Sequence, residues 1–436
     1  MFKRNSWLAV KRFSTTAQKN EKISCKLLVV GGGSGGCSMA AKFSKKLGKN
    51  KVVIVEPAAM HYYQPLFTLV GGGLKSLAQA GRPMASVLPR EARWLQDEVA
   101  EFSPAHNQVR TREGHVVDYE YMIVATGVKL NYDQIPGLLE GLSRPDSGVC
   151  SNYSPKYVDL TRKSLEAFIE GNVICTFPKP PVKCPGAPQK IAYLADDFLR
   201  KRGKRQSAEV MYNTALPMLF GVKKYADALW QVARRKGVRV NVGRNLLEVK
   251  PDRRTAVFED LTRPGTTEEV EYAVLHVTPP QGPVGALRGC AELTDTAGFL
   301  DVHRETLQHA RFPSVFGIGD CTNLACSKTA AAVAAQSGVL RRNLEAAMGG
   351  SSVLPARYDG YASCPLVTGA NKCILAEFDY DMRPLETFPV NQAVERTSMY
   401  LLKAHVLPHQ YWLAMLSGYW EGPKTIRKLL HLGLSR

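Results

Sequence analysis

The sequence has no run of about 18 consecutive apolar residues, which excludes a membrane-spanning helix of ordinary length. Cysteine is at about average density, ten in 436 residues, far from a disulfide-stapled scaffold. Cys321 and Cys326 are separated by four residues, but no second pair or histidine cluster completes a metal site, and none is expected. Acids are also short: 39 Asp+Glu face 57 Lys+Arg, a formal charge of +18. Such basicity suits nucleic acid, an anionic membrane or an anionic ligand, and a targeting segment also produces it. The positive residues are scattered, without a recognition motif or an aromatic-studded basic platform, so nucleic acid is not an expected partner. What is present is core: 45% of residues are hydrophobic, and the length suggests two or three structural units.

Residues 1–20 hold Lys3, Arg4, Lys11, Arg12 and Lys19, with no acid before Glu21. Trp7, Leu8, Val10 and Phe13 are interleaved, and Ser14-Thr15-Thr16 follows. A basic, hydroxyl-rich, amphipathic start reads as a mitochondrial presequence over 1–22, against the plainer alternative of a basic tail.

Lys26-Leu27-Leu28-Val29-Val30 reads as a buried parallel strand, since its apolar residues run continuously. It meets a G-x-G-x-x-G fingerprint at Gly31, Gly33 and Gly36, with Ser34 and Gly35 between the last two. A helix from Cys37 to Leu47 and a second strand, Lys51–Val55, lead to Glu56. This is the βαβ unit of a dinucleotide-binding half. Gly31 permits the tight turn, Gly33 admits a pyrophosphate to the backbone, and Gly36 lets helix and strand approach. Glu56 would accept hydrogen bonds from ribose hydroxyls. FAD and NAD share the fingerprint, so later segments decide. Tyr119–Gly127 is a strand ending in Ala-Thr-Gly, and Ser314–Asp320 is a strand ending in Gly-Asp. Both resemble segments of the two-dinucleotide-domain flavoproteins, in which the Gly-Asp carboxylate holds the ribityl chain of FAD.

That superfamily usually inserts a second lobe for NAD(P)H. Here the strand Asn172–Phe177 is followed by five prolines between Pro178 and Pro188, and by no glycine fingerprint. Proline lacks the N–H that a phosphate cradle needs. The lobe reads as kept, through helix 190–200, strand 209–213, helix 223–236 and strand 238–242, with its nicotinamide site lost. Cys184 stands in the turn where the phosphate loop would be, beside Lys183 and near the start of a helix, both of which favour a thiolate. Cys364, in Tyr361–Gly369, is the second candidate. The other eight cysteines have no special chemistry around them.

From Lys26 to its end the chain resembles the mitochondrial sulfide:quinone oxidoreductase family. The resemblance is carried by Val30–Gly36, Val55-Glu56-Pro57, His61–Pro65, Pro181–Cys184, Gly221–Leu229, Leu275–Pro280, Phe316–Gly338 and Ser363–Gly369. It implies a redox couple at Cys184 and Cys364, and FAD contacts at Ser34, Gly35, Glu56, Gln64, Asp320 and Lys328. It also implies the chemistry: hydrogen sulfide, as hydrosulfide, attacks the Cys364 side of an oxidised bridge and leaves a persulfide there. The Cys184 sulfur is released as an anion, two electrons pass to FAD, and ubiquinone is reduced. Glutathione or sulfite takes the sulfane sulfur. No residue has a context suited to the third cysteine or covalent flavin link of some bacterial members.

Quinone resides in the bilayer, so attachment from one side is needed. The C-terminus offers Tyr400-Leu401-Leu402, Val406-Leu407-Pro408, Tyr411–Leu416 and Tyr419-Trp420. After Pro423, Ile426, Leu429 and Leu430 fall on one helical face, with Arg427, Lys428 and His431 toward the other. These features predict an in-plane helix on the inner mitochondrial membrane surface, against the alternative that the aromatics pack on the core or on a second subunit.

The expected fold is α/β, two Rossmann-like domains with a C-terminal membrane-associating region. A first part of the FAD domain occupies 23–150, and the second lobe occupies 151–290 with Cys184 and no NAD fingerprint. The second part of the FAD domain covers 291–390 with Asp320 and Cys364, and the amphipathic region covers 391–436. Rival readings are a type II NADH:quinone oxidoreductase, opposed by the missing second fingerprint, and a soluble sulfide dehydrogenase, opposed by the tail.

Overall fold

Five parallel strands put their C-terminal ends at one edge of the larger sheet. The computed structural model describes residues 20–434, so most of the expected presequence lies outside the described residues. In that sheet Arg93–Leu95, Val52–Val55, Lys22–Val30 and Val116–Val124 lie side by side, and Val315–Gly317 pairs with the end of Val116–Val124. Gln108–Thr111 and Val99–Ser103 extend it as an antiparallel meander. Leu27, Leu28, Val29, Val53 and Ile54 are fully buried, as continuous apolar strands covered on both faces should be. Val30 pairs with both Val55 and Val124, and Val124 with Gly317. The loops that follow these residues therefore emerge together, the place where doubly wound sheets bind ligands. Helices Ser34–Leu47 and Ala330–Met348 pack against each other beside the sheet.

The inserted lobe has its own five-stranded parallel sheet: Val149–Cys150, Val274–His276, Gly171–Phe177, Ala208–Thr214 and Arg239–Val242, in that spatial order. Its helix Ala187–Lys201 starts three residues earlier than expected, with a proline in the first turn where the missing N–H costs no hydrogen bond. The same helix packs against the strand Ala362–Gly369, which forms an antiparallel hairpin with Lys372–Phe378. That contact joins the lobe carrying Cys184 to the hairpin carrying Cys364.

The C-terminus corrects one expectation. Its helical stretch Thr397–Met415 contains two π-helical segments, Leu402–Val406 and Tyr411–Met415. A wider turn shifts the phase of a helix, so side chains along this stretch do not keep to one regular face. Tyr411, Trp412, Met415 and Leu416 are buried in the main core instead of facing outward. In the helix Lys424–Leu430, Arg427, expected on the solvent face, is only 1% exposed, with its guanidinium 5.3 Å from the Tyr361 ring. Leu401, Val406, Leu413, Tyr419, Leu429, Leu432 and Leu434 are exposed. Among the described residues, no helix is long and apolar enough to cross a membrane.

Candidate functional site

The glycine loop follows Val30 into the helix Ser34–Leu47. Gly31 has φ +104°, and a Cβ there would lie 2.5 Å from the Ala125 carbonyl oxygen. At Gly36 a Cβ would lie 1.8 Å from the Gly31 carbonyl oxygen, so both positions exclude a side chain. Gly33 is different: nothing lies within 4 Å of its Cβ position, leaving the loop open on that side. Gly35 packs on Ile318, which ties the loop to the Gly-Asp strand. The Glu56 carboxylate accepts from the backbone N–H groups of Gly32 and Ala58, each at 2.6 Å, and so sits at the rim of the loop. The loop, an acid at the second strand end and the helix N-terminus together fit the pyrophosphate and ribose of FAD. Thr126 Oγ1, buried and without a protein partner, lies in the Ala-Thr-Gly turn at the same edge.

Asp320 follows in the turn after Val315–Gly317, where burial raises its carboxyl pKa, opposed by Lys328 and Lys183. Lys328 donates its ammonium to the carbonyls of Asp320 (2.8 Å) and Thr322 (3.0 Å), while its own carbonyl accepts from Cys184 N–H at 2.9 Å. One residue thus bridges the Gly-Asp turn and the cysteine loop. Gln64 opens a single 3₁₀ turn after Tyr63 and is exposed. Its neighbour Tyr63 is buried near Lys190 and Cys184.

Cys184 and Cys364 come together although 180 residues separate them in the chain. Cys184 is half-buried in a left-handed conformation, φ +48°, which a non-glycine residue adopts only when its surroundings impose it. Its carbonyl accepts from Ala187 N–H (2.9 Å) and Tyr153 O–H (3.2 Å). Cys364 is 2% exposed, and a Cβ on Gly186 would lie 2.8 Å from its sulfur. Only glycine at 186 lets the loop approach that close. Both cysteines are free thiols here.

The cation that joins them is Lys190, not the adjoining Lys183. Lys190, 2% exposed in the first turn of Ala187–Lys201, places Nζ 3.3 Å from Cys184 Sγ and 3.7 Å from Cys364 Sγ. A hydrogen bond from Cys364 holds the Cys184 thiol pKa well down, against burial and with help from Lys190 and Lys403. The same partnership, with burial, holds Cys364 well up. These shifts favour the thiolate on Cys184 over Cys364. Burial works against the Lys190 charge, yet the two sulfurs overcome it and raise its pKa. Lys403, 3% exposed, donates to the Pro65 carbonyl at 3.1 Å, and burial first, then Lys190, pulls its pKa to about 8. Neither lysine was singled out from sequence. Lys190 has one visible signal, a charge amid the largely apolar run Ala187–Ala195.

The family described as "Pyridine nucleotide-disulphide oxidoreductase" matches residues 25–160. The chain is 52% identical to mouse "Sulfide:quinone oxidoreductase, mitochondrial", covering 94% of this chain and 90% of that one. It is 42% identical to the protein of the same name from Dictyostelium discoideum, covering 95% and 90%. The solved sulfide:quinone oxidoreductase of Aquifex aeolicus shares the fold, with a TM-score of 0.76 and 18% identity over 94% of this chain and 95% of that one.

Proposed function

The chain belongs to the mitochondrial sulfide:quinone oxidoreductase family, and from that premise we propose that it oxidises hydrogen sulfide at a Cys184/Cys364 pair and delivers the electrons through FAD to ubiquinone. One observation carries the reading: a single buried ammonium within 3.7 Å of both sulfurs, in the lobe that lacks a nicotinamide fingerprint.

In the oxidised state the two sulfurs form a bridge. Hydrosulfide attacks on the Cys364 side; the bond to the incoming sulfur forms and the bond toward Cys184 breaks. The Cys184 sulfur leaves as a thiolate, which Lys190 stabilises at hydrogen-bond range. Cys364 is left as a persulfide, and glutathione or sulfite removes its terminal sulfur. Re-forming the bridge releases two electrons. FAD, when bound, would supply the two-electron acceptor that links the sulfur pair to ubiquinone. Lys190 and Lys403 keep a positive potential at the buried pair, which favours the entry of an anionic substrate and each anion that forms. Gly31, Gly33, Ser34, Gly35, Gly36, Glu56, Gln64, Asp320 and Lys328 are the proposed FAD-holding set.

The rival of the same fold, an NADH:quinone oxidoreductase, separates from this reading by reductant. Anaerobic NADH is expected to leave the flavin absorbance unchanged, whereas sulfide with sulfite as sulfur acceptor bleaches it. Equal bleaching by NADH would transfer the assignment to the rival.

The outward leucines of the C-terminal segment support seating on the inner mitochondrial membrane, with quinone reached from within the bilayer. Full burial of a leucine is worth about 1.5–3 kcal/mol. Leu413→Ser with Leu429→Ser, two residues 68% and 75% exposed, is expected to weaken co-sedimentation with anionic vesicles by roughly a hundredfold. Undiminished sedimentation of the double variant would remove this segment from the membrane contact.

A further inference from the structure

The core-facing side of the C-terminal segment ends on the glycine loop. Tyr411 is 3% exposed, and its hydroxyl lies 2.8 Å from Ser34 Oγ and 2.5 Å from His61 Nε2. The other His61 nitrogen, Nδ1, lies 3.0 Å from the Gly32 carbonyl oxygen, which also accepts from the Cys37 thiol at 3.1 Å. Around this chain the Tyr411 ring lies 4.4 Å from the Tyr63 ring, and the Arg82 guanidinium lies 4.4 Å from the Trp412 ring. Farther along, Lys42 donates to the Gly418 carbonyl, and Glu421 is held by Lys42 (2.9 Å) and Arg341 (2.7 Å).

The donors and acceptors fix the direction of the chain. Burial lowers the His61 pKa to about 4, so near neutral pH the ring is neutral, with one N–H and one acceptor nitrogen. A carbonyl oxygen only accepts, and the Cys37 thiol, 3.8 Å from Nδ1, gives its own hydrogen to that carbonyl, so Nδ1 carries the hydrogen and donates to Gly32. Nε2 must then accept from the Tyr411 O–H. The Tyr411 oxygen in turn accepts from the Ser34 hydroxyl, which commits the Ser34 hydrogen to Tyr411.

The far end of the chain sits on a peptide that matters. In a trans peptide the C=O and N–H point in opposite directions. Holding the Gly32 carbonyl inward on His61 therefore aims the Gly33 N–H outward, on the residue whose Cβ position is open. That donor faces where a pyrophosphate approaches.

We propose that Tyr411 is a positioning residue for the FAD pyrophosphate site, so that seating of the C-terminal segment and retention of FAD are one linked equilibrium. The inference rests on the flavin reading above. Linkage is reciprocal: bound FAD holds the segment down, and a seated segment slows FAD release.

The test uses the full chain loaded with FAD. Tyr411→Phe removes the hydroxyl and leaves both His61 Nε2 and Ser34 without their partner. It is expected to release FAD roughly tenfold faster, read as free flavin fluorescence after dilution. The second readout is amide hydrogen exchange over residues 403–416. FAD added to the apo wild type slows that exchange, and in Tyr411→Phe it does not. His61→Leu breaks the same chain at its next link, so the double variant is expected to be no worse than the worse single one. Wild-type FAD release in Tyr411→Phe, FAD-dependent protection of 403–416 that survives the substitution, or additive effects of the two variants would overturn the proposal alone. A wild-type chain that takes up no FAD would overturn the flavin reading, and this inference with it.

Discussion

Cys184→Ser is expected to lower sulfide-dependent quinone reduction by about 10⁴–10⁶-fold, the loss that follows removal of a covalent nucleophile. Serine keeps the size of the side chain but cannot form the sulfur bridge, and its hydroxyl does not ionise beside Lys190. Cys364→Ser is expected to cost as much, since the two sulfurs act as a unit and removing either stops the cycle. The fold should survive both changes. Cys184 is half-buried, and Cys364 packs beside Gly186, where an oxygen is smaller than a sulfur. The check is quinone reduction at saturating sulfide, with flavin content and thermal midpoint measured on the same samples. Activity within tenfold of wild type in either variant would remove that cysteine from the redox pair.

Lys190→Met should produce the second largest loss, about 10²–10³-fold near neutral pH. Taking one partner from a buried ion pair costs about 3–5 kcal/mol, and 1.4 kcal/mol is a tenfold change. Methionine fills the volume, so the effect isolates charge. Without the ammonium, the Cys184 thiol loses a cation that helps hold its pKa down. Its rate should therefore recover partly at high pH, where the thiol ionises unaided, and this recovery separates an electrostatic role from a packing defect. In the wild type the sign is opposite on that side. Lys403, with its pKa near 8, loses its proton as pH rises past that value, and one of the cations near the sulfurs disappears. The wild-type rate should thus fall above pH 8, and Lys403→Met should lack that limb. A flat profile in both would contradict the assignment.

Much of the nucleotide-binding frame was legible because its signal is local. Lys22–Val30, Gly31–Gly36, the helix, Val52–Val55 and Glu56 follow one another within 35 residues, each with a steric reason for its residue type. Cys184 carries a local signal in its proline-rich turn, but pairing it with Cys364 rests on resemblance, since no spacing rule joins positions on two different lobes. Lys190 and Lys403 carried almost no signal. A lysine in an amphipathic helix reads as solvent-facing, and only the packing of Ala187–Lys201 on the Cys364 hairpin turns Lys190 inward. His61 and Tyr411 meet across 350 residues, a contact no local pattern encodes. The tail shows the opposite error. The outward reading fails at Tyr411 and Trp412, in a stretch with two π-helical segments, and at Arg427, in the separate helix Lys424–Leu430, all three of which turn inward. The alternative that the aromatics pack on the core holds for Tyr411 and Trp412, while the exposed leucines leave an apolar outer face on the same segment.

Anaerobic titration of the FAD-loaded chain with sulfide, in the presence of sulfite as the sulfur acceptor and followed at the flavin absorbance band, tests the central claim most directly. The wild type should bleach with one sulfide per flavin, and both Cys184→Ser and Cys364→Ser should stay oxidised through a large excess. Bleaching of either variant at the wild-type rate would contradict a mechanism in which the two sulfurs, gathered on Lys190, carry the electrons.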